Sequence, residues 1–193
     1  MKLNLIIVSL IICCIYPSDA ATITGRVLSK ISGRPTYDLA FVKIVGTNKG
    51  AATKTNGFYT ISNVEPGKKY LLEVSTLGYP KTRLEILVQD SVTTCDIEVT
   101  TECKINKTLA INDIKQDSIK LYLAGGIVPF ANSLEDNEFE HKYEIEYYEF
   151  GCTPPTFECI EEYNKVIFAY LDEKYGSIWR QEVRKDVLFL PKE

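Results

Sequence analysis

The chain has 193 residues, a formal charge of −4, six cysteines and a single histidine, with hydrophobic side chains at 45% and charged ones at 25%. That is enough apolar material for one domain or two small ones. No clustered basic face of the kind a nucleic-acid binder needs is present, and beyond the N-terminus no apolar stretch is long enough to span a membrane.

Met1-Lys2-Leu3-Asn4 leads into an apolar run from Leu5 to Ile15, followed by Tyr16-Pro17-Ser18-Asp19-Ala20. A basic start, a short apolar core and a small-x-small site spell a cleavable export signal over residues 1–20. A membrane helix needs roughly 20 apolar residues, more than this run supplies. Cys13 and Cys14 stand where a lipidated cysteine would, yet Leu10-Ile11-Ile12 precedes them instead of the small residue such processing takes. The mature chain is therefore expected to be exported, periplasmic or extracellular, with outer-membrane association open. Its cysteines are Cys95, Cys103, Cys152 and Cys159. An even number in an exported protein points to disulfides or plain buried thiols, with the pairing open. Intervals of seven and six residues do not suit a zinc knuckle, whose cysteines stand two to four apart.

Residues 21–103 carry 10 Lys+Arg against 8 Asp+Glu, and residues 104–193 carry 11 against 17. This change of sign coincides with a change of pattern and places a boundary near 103. The first part reads as about seven short strands separated by turn chemistry. Thr22–Leu28 alternates around Gly25, Ser32-Gly33-Arg34-Pro35 turns, and Phe41-Val42-Lys43-Ile44-Val45 is β-branched. Asn48-Lys49-Gly50 reverses the chain, and Asn56-Gly57 is a strong hairpin signal ahead of Phe58-Tyr59-Thr60-Ile61. Glu65-Pro66-Gly67 turns again, then Tyr70–Val74, Thr82–Val88 and Val92–Val99 follow, the last with Cys95, Ile97 and Val99 on one face. Such spacing indicates a β-sandwich, with Phe41, Ile44, Phe58 and Ile61 expected in its core.

These residues carry a resemblance. Ile23-Thr24-Gly25-Arg26-Val27, Ala40–Gly50, the run Thr53-Lys54-Thr55-Asn56-Gly57-Phe58-Tyr59-Thr60-Ile61 and the closing Leu77-Gly78-Tyr79 are similar to the carboxypeptidase regulatory-like domain. The order matches over about 70 residues, although Ser75-Thr76-Leu77 is more polar than usual there. The resemblance implies a transthyretin-like (prealbumin-like) sandwich. Such domains stand beside metallocarboxypeptidases, at the start of TonB-dependent receptors and in many secreted Bacteroidota proteins, and are often grouped with carbohydrate-binding-like folds. A grouping of folds is not evidence of sugar binding. Nor is the family name evidence of peptide cleavage, since a zinc carboxypeptidase holds its metal with two histidines and a glutamate and this chain has only His141. With no β-barrel pattern following the sandwich, a receptor role is not expected. For Phe58 and Tyr59, packing competes with a ligand-stacking platform.

Residues 104–193 read as a small α/β or mainly helical unit of order β-α-β-α-α, so the whole chain is α+β. Ser118–Leu123 is a strand closed by Ala124-Gly125-Gly126. Ser133-Leu134-Glu135-Asp136 makes a capping box for a helix to about Lys142, and Glu144–Phe150 is a second strand. From Thr156, Ile160, Tyr163, Ile167, Leu171 and Tyr175 recur at helical spacing, with Glu158, Glu161, Glu162 and Lys165 elsewhere. Gly176 stops this helix and Ser177 caps another, with Trp179, Val183 and Val187 inward and Arg180, Arg184 and Lys185 outward. The tail also resembles the ends of small exported Bacteroidota proteins, which adds no mechanism.

Candidate chemistry is sparse. Gly125-Gly126 forms either an anion-binding nest or a turn. Glu144, Glu146 and Glu149 are acid–base candidates or a solvated strand face, and Cys152 with His141 as base is a nucleophile candidate set against a disulfide. Arg180 and Arg184 clamp a carboxylate or pair with the acidic strand, and Asn106-Lys107-Thr108 is a sequon. The expectation is an exported, non-enzymatic binding protein of the bacterial envelope, with no cofactor, no metal, and an envelope protein or a glycan as partner. The alternatives are a carbohydrate-binding accessory protein, signalled by Tyr59 and Tyr79 on one flat face, and an enzyme in the tail, signalled by a pocket joining His141, Cys152 and the glutamates.

Overall fold

The computed structural model describes residues 20–123, 125, 132–151 and 155–191. The expected export signal, Cys152 and Gly126 lie outside the described residues. In chain order the elements are β1 (Ala21–Ser29), β2 (Phe41–Ile44), β3 (Gly50–Ala52), β4 (Phe58–Val64), β5 (Lys69–Ser75), β6 (Thr82–Leu87), β7 (Val92–Thr94), β8 (Ile97–Val99), α1 (Lys107–Lys115), β9 (Lys120–Tyr122), α2 (Leu134–Tyr143), β10 (Glu146–Tyr148), α3 (Phe157–Tyr175) and α4 (Trp179–Glu182). The protein is α+β, with a β-sandwich followed by a largely helical unit.

Strand alternation builds the sandwich. Side chains two apart share a face, so β1 buries Ala21, Ile23 and Val27, β2 buries Val42 and Ile44, and β5 buries Leu72 and Val74. β1 is central in the first sheet, antiparallel to β4 and parallel to both β7 and β8. The second sheet runs β3-β2-β5-β6, with every pair antiparallel. Val92–Val99, expected as one strand, is two. The chain steps over Gly25 at Cys95-Asp96, where Cys95 N–H donates to Thr24 O at 2.7 Å and Asp96 Oδ1 accepts from Arg26 N–H at 2.8 Å. A Cβ on Gly25 would stand 2.0 Å from Cys95 O.

Two expectations are corrected. Phe41 is 46% exposed and Phe58 only half-buried, while their neighbours Val42 and Tyr59 fill the core. Phe41 and Ile44, like Phe58 and Ile61, have opposite parity, and a strand cannot turn both inward. The Asn56-Gly57 turn does form, with Gly57 N–H donating to Lys54 O at 2.8 Å, but it is not a hairpin. β3 and β4 belong to opposite sheets, and β4 pairs with β1. Turn chemistry sets a local reversal, not the strand's partner.

Buried apolar side chains fall into two clusters, one from Ala21 to Val99 and the other from Ala110 to Leu188. In the second, β9 and β10 pair in parallel on either side of α2 in sequence. The capping box forms, with Ser133 Oγ accepting from Asp136 N–H and Asp136 Oδ2 from Ser133 N–H. Glu144 is not in a strand: it caps α2 in the left-handed conformation at φ 54°. α3 buries Ile160, Tyr163, Ile167 and Leu171 and ends at Gly176, φ 68°. Asn164, fully buried, donates to Leu188 O at 2.8 Å and joins the C-terminal segment to β9 through Tyr122. α4 has Ile178 and not Ser177 at its N-cap position, with no side-chain cap. α1 was not anticipated. Asn106, the sequon asparagine, caps it by accepting from Leu109 N–H at 3.0 Å.

Candidate functional site

The first turns of α3 lie against the sandwich and make a seam. Thr156 Oγ1 donates to Gly78 O at 2.6 Å, and the approach is close enough that a Cβ on Gly78 would meet Thr156 N and Cα at 2.7 Å. Phe157 packs on Tyr37 with ring centroids 4.6 Å apart, and Phe189 meets the same ring at 5.4 Å. Glu158 accepts from Tyr37 N–H at 3.2 Å, and Glu161 pairs with Arg34 at 2.5 Å and Lys165 at 2.7 Å. Glu158 and Glu161, which lie off the apolar stripe of the helix, are thus buried. Burial raises the Glu161 carboxyl, but Lys165 and Arg34 prevail and hold it below its ordinary value. A cleft of about 230 Å³ opens here between Arg34, Tyr37, Thr55 and Phe189.

Cys159, in that same turn, is bonded to Cys103, which lies in the segment leaving β8. Cys95, another of the possible disulfide cysteines, is a free, half-buried thiol. It lies at the strand crossover, packed against the sandwich core, and burial pushes its thiol up.

The enzyme candidates are partly assembled. His141 lines a shallow cleft of about 260 Å³ with Glu140, Glu144, Glu146, Asp117 and Ser118, but Glu149 does not. Two of its carboxylates serve the fold. Glu140 accepts from Tyr147 N–H at 2.7 Å, and Glu144 pairs with Lys174 at 2.7 Å, which holds its carboxyl below the usual range. Among the described residues no group of His, Cys, Asp and Glu is placed to hold a metal ion. Arg180 and Arg184 clamp carboxylates of their own unit, and Arg184 also lies over the Tyr147 ring of β10 at 5.6 Å. Arg180 grips Asp172 at 2.7 and 2.8 Å over the Trp179 ring, and Arg184 binds Asp186 and Asp136. Tyr59 is buried, its hydroxyl donating to Cys95 O at 2.7 Å, and the Tyr79 hydroxyl bonds Ser29 Oγ at 2.6 Å. They form no flat stacking platform.

The sequence reading missed a different feature. Glu73 points outward from β5, yet its side chain is only 3% exposed, because Lys43 (2.8 Å), Arg83 (2.5 Å) and Lys81 (3.7 Å) enclose it. Those hydrogen bonds and charges hold its carboxyl at about 2. Cross-strand pairing of Lys43, Glu73 and Arg83 was the available signal, but it needs the register. A carboxyl depressed in the fold stabilises it above its unfolded value of about 4.5, and that contribution disappears as pH falls toward 2. Wild-type protein and Glu73→Gln are therefore expected to differ in urea midpoint at pH 7, with the gap narrowing between pH 5 and 2. A gap independent of pH would refute the assignment.

The fold is a β-sandwich followed by a helical unit. Residues 23–110 match the model of the CarboxypepD_reg-like domain, and the match runs past residue 103 into α1. The chain is similar in structure to a cohesin–X-dockerin complex mutant from Acetivibrio cellulolyticus (17% identity, 54% of this chain and 76% of that one, TM-score 0.36). It is similar also to a putative carbohydrate binding protein from Bacteroides uniformis (18%, 43% and 42%, 0.35) and to 5-hydroxyisourate hydrolase from Klebsiella pneumoniae (11%, 42% and 91%, 0.34). No curated protein matches the chain. Among the described residues no helix is long and apolar enough to cross a membrane.

Proposed function

We propose that the chain is an exported, non-enzymatic binding protein of the bacterial envelope, in which residues 21–103 present a docking surface and residues 104–193 form a second unit fixed beside it. The observation that carries this reading is the outward side of the β3-β2-β5-β6 sheet. There Phe41 is 46% exposed, Leu87 40% and Val45 37%, on a sheet whose other side packs the core. These apolar side chains run along the face from Phe41, opposite Ser75, to Leu87, opposite Lys69, and exposed apolar surface of this kind suits docking. The non-enzymatic part is supported by Glu140, Glu144, Asp172 and Asp186 being committed to structural partners.

The test is retention of envelope components on the immobilised protein, set against Phe41→Asp/Leu87→Asp, which alters the exposed face alone. Wild-type protein is expected to hold components that the variant releases. Equal retention by both would overturn the reading.

A further inference from the structure

Resting on that reading of the sheet face, we propose that its occupant is the helical unit of a second copy of this chain. Register places Lys43, Leu71, Glu73, Arg83, Glu85 and Leu87 on the outward side. Phe41 and Lys69 share it by parity, and Val45 continues β2 by donating its N–H to Leu71 O at 2.9 Å. Lys43, Arg83 and Lys81 surround one carboxylate and still leave 44%, 61% and 66% of their side chains exposed. Glu73 thus acts as a counter-ion that gathers three cations into one patch, with two positive charges in excess, bordered by apolar side chains.

The complement is on the same molecule. Residues 104–193 carry 11 Lys+Arg against 17 Asp+Glu. Their acidic surface includes Asp117 and Glu146 in the shallow cleft and the exposed Glu135 and Glu138 of α2. It too has exposed apolar groups, Leu134 at 82% and Tyr148 at 38%, and one cation, Lys120, opposite Glu146 with its Nζ 4.9 Å from the Tyr148 ring, against the four carboxylates. Charge and apolar surface therefore match on both sides. Within one copy the two surfaces are kept apart, because the seam uses Arg34, Tyr37 and Gly78 from loops and none of the outward strand residues. Joining unlike surfaces makes a heterologous contact, which adds copies head to tail.

Sedimentation of the purified protein tests this. Exposed ion pairs are individually weak, so association is expected with Kd on the order of 100 µM. It should weaken at least tenfold between about 50 and about 500 mM salt. Lys69→Glu/Lys81→Glu reverses the basic face while leaving Lys43 and Arg83 on Glu73, and Glu138→Lys/Glu146→Lys reverses the acidic one. Each variant alone should stay monomeric. Mixed in equal amounts they should form a dimer and nothing larger, since each retains one working surface. Wild-type protein that stays monomeric up to about 1 mM, a mixture that does not dimerise, or association indifferent to salt would each overturn the proposal. If self-association fails while Phe41→Asp/Leu87→Asp still releases envelope components, the docking face stands and its occupant is another molecule.

Discussion

Gly25→Ala is expected to cost about 3 kcal/mol or more in urea unfolding, a large share of the about 5–15 kcal/mol that typically holds a domain folded. The added Cβ would lie 2.0 Å from Cys95 O and 2.5 Å from Cys95 C. Both are backbone atoms, held by the Cys95-to-Thr24 and Arg26-to-Asp96 hydrogen bonds on either side of the glycine. Relief would mean lifting the β7–β8 crossover away from β1 and losing those bonds. Gly33→Ala is the informative comparison. Gly33 has φ +66° but open space where its Cβ would stand, so it pays only the backbone strain of about 1 kcal/mol. A cost at Gly25 no greater than at Gly33 would show that the crossover yields easily.

Loss of the Cys103–Cys159 bond is the second large effect. The cysteines are 56 residues apart in sequence, and the loop-entropy relation gives about 4 kcal/mol for a closure of that length. Cys103→Ser/Cys159→Ser should lose roughly this amount, as should wild-type protein under a dithiol reductant, while the variant should not respond to reductant. Cys95→Ser should leave the reductant response intact, since Cys95 is not in the bond. The seam should loosen as well, because Cys159 shares its helical turn with Phe157, Glu158 and Glu161. Arg34→Ala, which removes one largely exposed partner, should cost no more than about 1 kcal/mol. A larger loss from Arg34 than from the disulfide would reverse this ranking.

Much of the fold was legible because period and turn chemistry are local. Thr22–Leu28, Tyr70–Val74 and the α3 stripe from Ile160 to Leu171 show their buried faces in sequence, and Ser133 with Asp136 is a complete helix-start signal. What stayed hidden depends on partners distant in the chain. Glu158 and Glu161 resemble other solvated helix carboxylates until Arg34 and Tyr37 are brought against them. Bulk misled at Phe41 and Phe58, where parity decides the face. α1 escaped notice because only Ala110 is fully buried in it, so its apolar stripe is faint and the Asn106 cap reads first as a sequon. The Glu73 cluster depends on the β2-β5-β6 register, which composition cannot reveal.

The central place of β1 bears on the order in which the chain can fold. Its parallel neighbours come last in the sandwich, and the Arg26-to-Asp96 bond spans 70 positions. An N-terminal strand emerging from the ribosome therefore has no β7 or β8 to settle against, and can only wait beside β4 with one edge bare. Completion is postponed until Val99 is available.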